Sequence, residues 1–90
     1  MLETKVKIVN PLGLHARAAA QLVRLSATFK SRICLKRTDD SVVADAKSIL
    51  SVLALSASRG TELIVEVSGV DEKAALEAVE QWFIGGFGEI

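Results

Sequence analysis

The single histidine of this chain, His15, stands where a side chain could accept and release a phosphoryl group. It follows a turn at residues 10–13 and begins a run of small residues that predicts a helix. The first N–H groups of a helix lack intrahelical partners and the helix dipole is positive there, so an anion beside His15 would be stabilised. Arg17 adds a positive charge with several donors for phosphate oxygens. A free imidazole, with a pKa of ~6.5, is mostly neutral and nucleophilic at pH 7.

The same two residues also fit a plainer interpretation. A lone histidine at the start of a helix is more often a cap or a surface residue, and a lone arginine is usually a solvated charge. The spacing of Gly13, His15 and Arg17 favours phosphoryl chemistry without excluding that alternative.

The composition limits the classes of function that are open to the chain. Its 90 residues fit one domain, 1–90, with one modest core, so any chemistry should lie at the surface. Eleven Lys and Arg balance eleven Asp and Glu, which argues against nucleic acid as a partner. One Cys and one His allow neither an intramolecular disulfide nor a zinc site, so we expect no metal and no cofactor. Residues 1–7 do not resemble a signal peptide and no apolar run spans a bilayer, so we expect a cytoplasmic protein without membrane insertion.

The periodicity of hydrophobic residues predicts four strands and three helices. Alternation indicates strands at 3–9, 31–37, 41–45 and 61–68, and three- and four-residue spacing indicates helices at 15–29 and after Asp71. Residues 46–55 are apolar nearly all round and fit either a helix or a buried strand, and we expect a short helix there, capped by Ser48. The first two strands are joined by a helix and should run parallel, with room between them for the fourth. The pattern therefore predicts an α+β fold of split βαβ units, with helices on one face of the sheet.

The helix patterns also predict buried stripes and caps. The first helix should bury Ala16, Ala19, Ala20, Val23 and Ala27. The last should bury Ala75, Leu76, Val79, Trp82 and Phe83. Ser48 and Asp71 are the expected N-caps of the second and third helices, and residues 85–88 are expected to be a flexible end.

Two segments of the chain resemble a known family. Residues 13–19, GLHARAA, resemble the phosphorylation motif of HPr, the histidine-containing phosphocarrier of the bacterial phosphoenolpyruvate-dependent sugar phosphotransferase system. Residues 46–53, AKSILSVL, are similar to the stretch that opens the second helix of that family. The resemblance extends over essentially the whole chain. It implies an open-faced sandwich, in which a four-stranded antiparallel sheet has three helices on one face.

The resemblance implies a carrier that has no independent turnover as an enzyme. His15 would accept the phosphoryl group through Nδ1, and Arg17 would assist the transfer. Phosphorylated enzyme I would be the donor and an enzyme IIA domain the acceptor, for sugar uptake or regulation, with the carrier acting as a monomer. The sequence does not distinguish this role from that of a nitrogen-branch carrier of the same family.

The second helix has two further possible roles. In part of the family, the serine that matches Ser48 is phosphorylated by an ATP-dependent kinase, which implies a regulatory site here and adds that kinase/phosphorylase and transcriptional regulators as partners. The helix also has more apolar side chains than one face can bury, so we expect a partner-binding patch beside the His15 loop, formed by Leu14, Ile49, Leu50 and Leu53. The basic residues expected around it, which suit acidic partners, are Arg17, Arg24, Lys47 and Arg59. The alternative is that all these apolar side chains belong to the core.

The chain departs from the family at Ala18, where many members have a proline that suits a first helical turn. We expect altered phosphorylation kinetics without loss of function. The hairpin at 37–41 is longer than the common two-residue turn, and residues 56–58 replace a stretch that often contains glycine. Outside the family, an acylphosphatase-like hydrolase would share the split βαβ topology, but no arginine-bearing phosphate cradle follows the first strand.

Overall fold

The computed structural model describes residues 1–88, and its strands and helices follow the predicted order. The strands are β1 (Leu2–Lys7), β2 (Arg32–Arg37), β3 (Val43–Asp45) and β4 (Glu62–Ser68). The helices are α1 (Ala16–Ala27), α2 (Ile49–Leu53) and α3 (Glu72–Ile84), and a 3-10 turn follows at Gly86–Gly88. Within the described residues, no helix has the length and apolarity needed to cross a bilayer.

The strands form one antiparallel sheet in the order β1-β4-β2-β3. Because β4 is antiparallel to both β1 and β2, those two strands run parallel to each other, as predicted. The register places Val6 opposite Leu63 and Leu35 opposite Val65, and all four side chains are buried in the core. The predicted α+β architecture of split βαβ units, with helices on one face, is confirmed.

α1 contacts the core through a different stripe from the one predicted. Its buried residues are Ala18, Ala19, Leu22 and Ser26. Of the predicted stripe, Ala19 alone is buried, whereas Ala16 and Ala27 are exposed. Alanines lie on several sides of this segment and do not mark its buried side, which Leu22 does. Small residues on the buried side let the helix lie close to its neighbours.

α2 is a short helix that begins directly after Ser48, as predicted, and the residues before it form a turn around Asp45. The Asp45 carboxylate accepts a hydrogen bond from the N–H of Lys47 at 2.9 Å, and its carbonyl accepts one from the N–H of Ser48 at 3.0 Å. These contacts hold residues 46–48 outside the helix, a pattern typical of Asx turns. The helix therefore begins at Ile49, the residue after its predicted N-cap, and it ends at Leu53.

α3 buries Ala75, Val79 and Phe83, and Leu76 and Trp82 are half-buried against the same core, which confirms the predicted stripe. Residues 85–88 do not form the flexible end that was expected. Instead, Phe87 is buried and stacks on Trp82 with ring centroids 4.3 Å apart.

Asp71 stands at the N-cap position of α3, as predicted, but its carboxylate does not cap the helix. It accepts hydrogen bonds from the N–H groups of Lys30 and Ser31, each at 2.9 Å, and from the Ser31 hydroxyl. The Ser31 hydroxyl, followed by the Lys30 amide, lowers the pKa of Asp71 to about 2. The side chain thus joins the start of α3 to the connection between α1 and β2.

Candidate functional site

The loop that leads to His15 is shaped by a glycine in close contact with another loop. Gly13 has a φ of +66°, and its N–H donates to the carbonyl of Asn10 at 3.0 Å. A Cβ atom at this position would lie 2.7 Å from the carbonyl oxygen of Ala57. The N–H of Leu14 donates to that same oxygen at 2.9 Å. Glycine is therefore required here both by its left-handed backbone and by the close approach of the second loop.

The start of the same loop is attached to the C-terminal turn. Asn10 is fully buried, and its side-chain amide donates to the carbonyl of Gly86. Together with the bond from Leu14 to Ala57, this contact fixes the loop at both ends.

His15 occupies the N-cap position of α1. Its backbone is extended, with φ −77° and ψ 177°, and its carbonyl accepts the N–H of Ala19 at 2.8 Å. The imidazole is half-buried and does not cap the helix. The first turn of α1 contains no acidic side chain, and Arg17 is exposed on it. His15 therefore adjoins the positive end of a helix, with an exposed guanidinium one residue into the first turn.

Ser48 is the N-cap of α2, as predicted, and its hydroxyl accepts a hydrogen bond from the N–H of Ser51 at 3.4 Å. The hydroxyl of Ser51 in turn accepts the N–H of Asp45 at 2.9 Å. The start of α2 is thus held by two serine hydroxyls. α2 packs against α1, the helix that begins after His15.

Three apolar side chains of α2 are exposed, and we call them the α2 surface: Ile49, Leu50 and Leu53. Leu50 is 78% exposed. Leu14 does not join them, contrary to expectation, because its side chain is only 6% exposed and belongs to the core. Leu12, in the loop before His15, is 76% exposed and was missed, although an apolar residue inside a turn is itself an indication of exposure.

The basic residues expected near the site are all exposed: Arg17, Arg24, Lys47 and Arg59. Lys47 already donates its ammonium to the carbonyl of Phe29 at 2.8 Å, near the C-terminal end of α1. In residues 1–88, no three His, Cys, Asp or Glu side chains are grouped in a way that could hold a metal ion.

Comparison with known proteins shows the family to which the chain belongs. The family model PTS-HPr, described as the PTS HPr component phosphorylation site, matches residues 2–84. The chain belongs to the HPr family. It is 43% identical to the phosphocarrier protein HPr of Treponema pallidum over 89 residues, covering 99% of each chain. It is 41% identical to the phosphocarrier protein NPr of Proteus mirabilis over 85 residues, covering 94% of this chain and 93% of that one.

The HPr fold is equally clear from solved structures. HPr-C-His from Thermoanaerobacter tengcongensis superimposes with a TM-score of 0.92 at 33% identity, covering 100% of this chain and 99% of that one. Some solved structures of HPr-like proteins are dimers. The chain is thus a phosphocarrier of the bacterial phosphotransferase system. This family membership replaces the alternative of an acylphosphatase-like hydrolase.

Proposed function

We propose that this HPr-family phosphocarrier accepts a phosphoryl group on Nδ1 of His15 from phosphorylated enzyme I and passes it to an enzyme IIA domain. The main support is the placement of His15 at the N-cap of α1, on a loop fixed by Gly13 and Leu14. A side chain at this place meets the partial positive charge of the helix without closing the helix end itself.

Each transfer exchanges one bond to phosphorus for another. The Nδ1 lone pair attacks phosphorus while the bond from phosphorus to the donor breaks, and the donor keeps that electron pair. The imidazole retains its proton on Nε2. The N–H groups of the first turn and the Arg17 guanidinium stabilise charge on the phosphoryl oxygens, and the phosphoryl group leaves again when an acceptor nucleophile attacks.

The α2 surface is the proposed docking site for both partners. It is apolar, it lies on a helix packed against α1, and exposed basic side chains occur in the segments around it. Apolar contact combined with basic residues suits partners whose own surfaces are acidic. We propose that the protein is a cytoplasmic monomer, which leaves this surface open to one partner at a time.

Ser48 is the proposed regulatory site. Its hydroxyl lies at the N-terminus of α2, where a phosphate is tolerated by the helix, and it adjoins the α2 surface. An ATP-dependent kinase would therefore place about two negative charges beside the docking site.

The deciding experiment is phosphorylation by phosphoenolpyruvate and enzyme I, followed by intact mass measurement. One acid-labile phosphoryl group is expected on the wild type, none on His15→Ala, and slower formation on Arg17→Ala. An adduct that persists in His15→Ala would contradict the mechanism. Relatives named HPr and NPr are both similar to the chain, so competition between enzyme I of the sugar branch and that of the nitrogen branch assigns the branch.

A further inference from the structure

Arg37, the last residue of β2, binds two segments that are distant in sequence. Its Nε and Nη2 donate to the two carboxylate oxygens of Asp39, each at 2.8 Å, in a bidentate pair. Asp40 lies 3.6 Å from Nε. The remaining nitrogen, Nη1, donates to the carbonyl oxygens of Leu55 at 2.8 Å and Ser56 at 3.2 Å. The guanidinium therefore joins the β2–β3 hairpin to the loop that follows α2.

The local charges favour this arrangement. The Arg37 side chain is only 19% exposed, and the hydrogen bond to Asp39 raises the pKa of Arg37 and lowers that of Asp39. Asp39 orients the planar guanidinium so that its third nitrogen faces the two carbonyls. A lysine has no such fork and could not hold both the carboxylate and the carbonyls in this geometry.

The segment that Arg37 holds is the support of the His15 loop. Ser56 has a φ of +50°, which residues other than glycine rarely adopt, so this backbone conformation depends on contacts with other segments of the chain. The next residue is Ala57, whose carbonyl accepts the N–H of Leu14 and lies against Gly13. Two hydrogen bonds and the backbone of Ala57 between them thus connect Arg37 to Leu14, the residue before His15.

We propose that Arg37 is a positioning residue for His15, because it fixes the Leu55 and Ser56 carbonyls and thereby the Ala57 carbonyl on which the His15 loop rests. The proposal builds on the phosphoryl-transfer role of His15. Arg37 does not touch the reacting group, and its effect passes through the backbone of residues 55–58.

The test compares Arg37→Ala with Lys36→Ala. Lys36 is the preceding residue of β2, so its side chain points to the opposite face of the sheet, and both variants lose one positive charge. The first measurement is amide hydrogen exchange of Leu14, with Val65 in the central strand β4 as internal reference. Arg37→Ala should speed exchange at Leu14 more than at Val65, and Lys36→Ala should change neither. This readout does not depend on the protein being phosphorylated.

The second measurement is steady-state phosphorylation by enzyme I. Arg37→Ala should lower kcat about tenfold, since small displacements of a reacting group reduce rates strongly. KM should change little because the α2 surface is untouched. Arg37→Lys should not keep the wild-type protection of the Leu14 amide. Asp39→Asn keeps Arg37 but removes the carboxylate that orients it, so it should show both effects in weaker form. This variant provides the test if Arg37→Ala does not fold.

The outcomes separate the two proposals. Wild-type Leu14 exchange in folded Arg37→Ala, or in Asp39→Asn where the alanine variant does not fold, overturns the positioning role whatever the rate. A wild type that no enzyme I phosphorylates contradicts the proposed function, while the exchange measurement still decides whether Arg37 holds the loop.

Discussion

The N–H of Leu14 donates a hydrogen bond to the carbonyl oxygen of Ala57 over 2.9 Å. This bond joins the loop before α1 to the loop after α2, so the backbone of His15 is fixed by residues far away in the sequence. Gly13 makes the contact possible, because its missing side chain leaves room for the Ala57 carbonyl. The position of His15 should therefore respond to changes in either loop.

Gly13→Ala should destabilise the fold and slow phosphorylation. The added Cβ would lie 2.7 Å from the Ala57 oxygen, on a residue with φ +66°. We expect a loss of about 2–4 kcal/mol in the free energy of unfolding, measured in urea, because left-handed strain and overpacking act together. Phosphorylation should slow by about tenfold or more as His15 moves.

The control for this variant is Gly60→Ala. Gly60 also has a positive φ, +91°, but apart from its two chain neighbours no atom of residues 1–88 lies within 4 Å of an added Cβ. Gly60→Ala should therefore lower the free energy of unfolding only through the strain of a left-handed backbone, by about 1–2 kcal/mol. Equal losses in the two alanine variants would show that the Ala57 contact adds nothing.

Ser56→Gly should stabilise the protein. Ser56 is exposed and has a φ of +50°, which glycine adopts without strain from a Cβ. Relief of that strain exceeds the extra chain entropy of glycine, so we expect a gain of about 0.5–1 kcal/mol in urea unfolding. Ser58→Gly is the matched control, since Ser58 is exposed without a positive φ and should lose stability. A loss in both variants would contradict the argument.

The sheet could be predicted from the sequence because each strand buries alternate residues against one core. Leu63, Val65 and Val67 identify β4 by period alone, and they are all buried. The placement of β4 between β1 and β2 follows from connection geometry, without any knowledge of contacts. The His15 motif was equally visible, since Gly13, His15 and Arg17 are local in the sequence.

The contacts that hold the site could not be predicted in this way. Leu14 looked like part of an exposed patch, yet its side chain is buried, and only the packing of two loops decides this. Asp71 looked like a helix cap, but donors from Lys30 and Ser31 compete for its carboxylate. The hydrogen bond from Arg37 to the Leu55 carbonyl joins residues that are 18 positions apart, and no local sequence pattern predicts it. The two aspartates shortly after Arg37 indicate only that the arginine has acidic neighbours.

Asp71 should contribute to stability in a way that depends on pH. Its pKa in the folded state is lowered from 3.8 to about 2. A lowered folded pKa means that the contribution is present above the unfolded value and is lost as the pH falls through the folded value. Asp71→Asn should therefore be less stable than the wild type at pH 7, and the difference should shrink between about pH 4 and about pH 2.

Urea unfolding at several pH values measures this difference. Glu77→Gln, on the exposed side of α3, is a control that removes one carboxylate without these donors. A difference between wild type and Asp71→Asn that stays constant down to pH 2 would mean that the ionised carboxylate is not what holds Lys30 and Ser31.

Leu50→Ser should weaken partner binding while leaving the fold intact. Leu50 is 78% exposed, so its replacement should change the free energy of unfolding by less than about 0.5 kcal/mol. Burial of a leucine at an interface contributes about 1.5–3 kcal/mol, so the KM for enzyme I should rise by about tenfold or more. Val70→Ser is the matched control, because Val70 is 85% exposed and lies after β4, at the end of the sheet where β1 begins. Similar KM values for the two variants would exclude the α2 surface as the docking site.

Variants of Ser48 should separate the effect of helix capping on stability from the effect of negative charge on partner binding. Ser48→Ala loses the bond from the Ser51 N–H and should lower the free energy of unfolding by about 1 kcal/mol. Ser48→Asp should keep this stability, because aspartate is an equally good N-cap. Its negative charge should nevertheless raise the KM for enzyme I several-fold at low salt, and added salt should reduce the effect by screening. Ser41→Asp, in the exposed β2–β3 hairpin, controls for net charge and should leave the KM unchanged.

If Ser48→Asp had the wild-type KM at low salt, a charge at Ser48 could not regulate docking, and the serine would act as a helix cap alone.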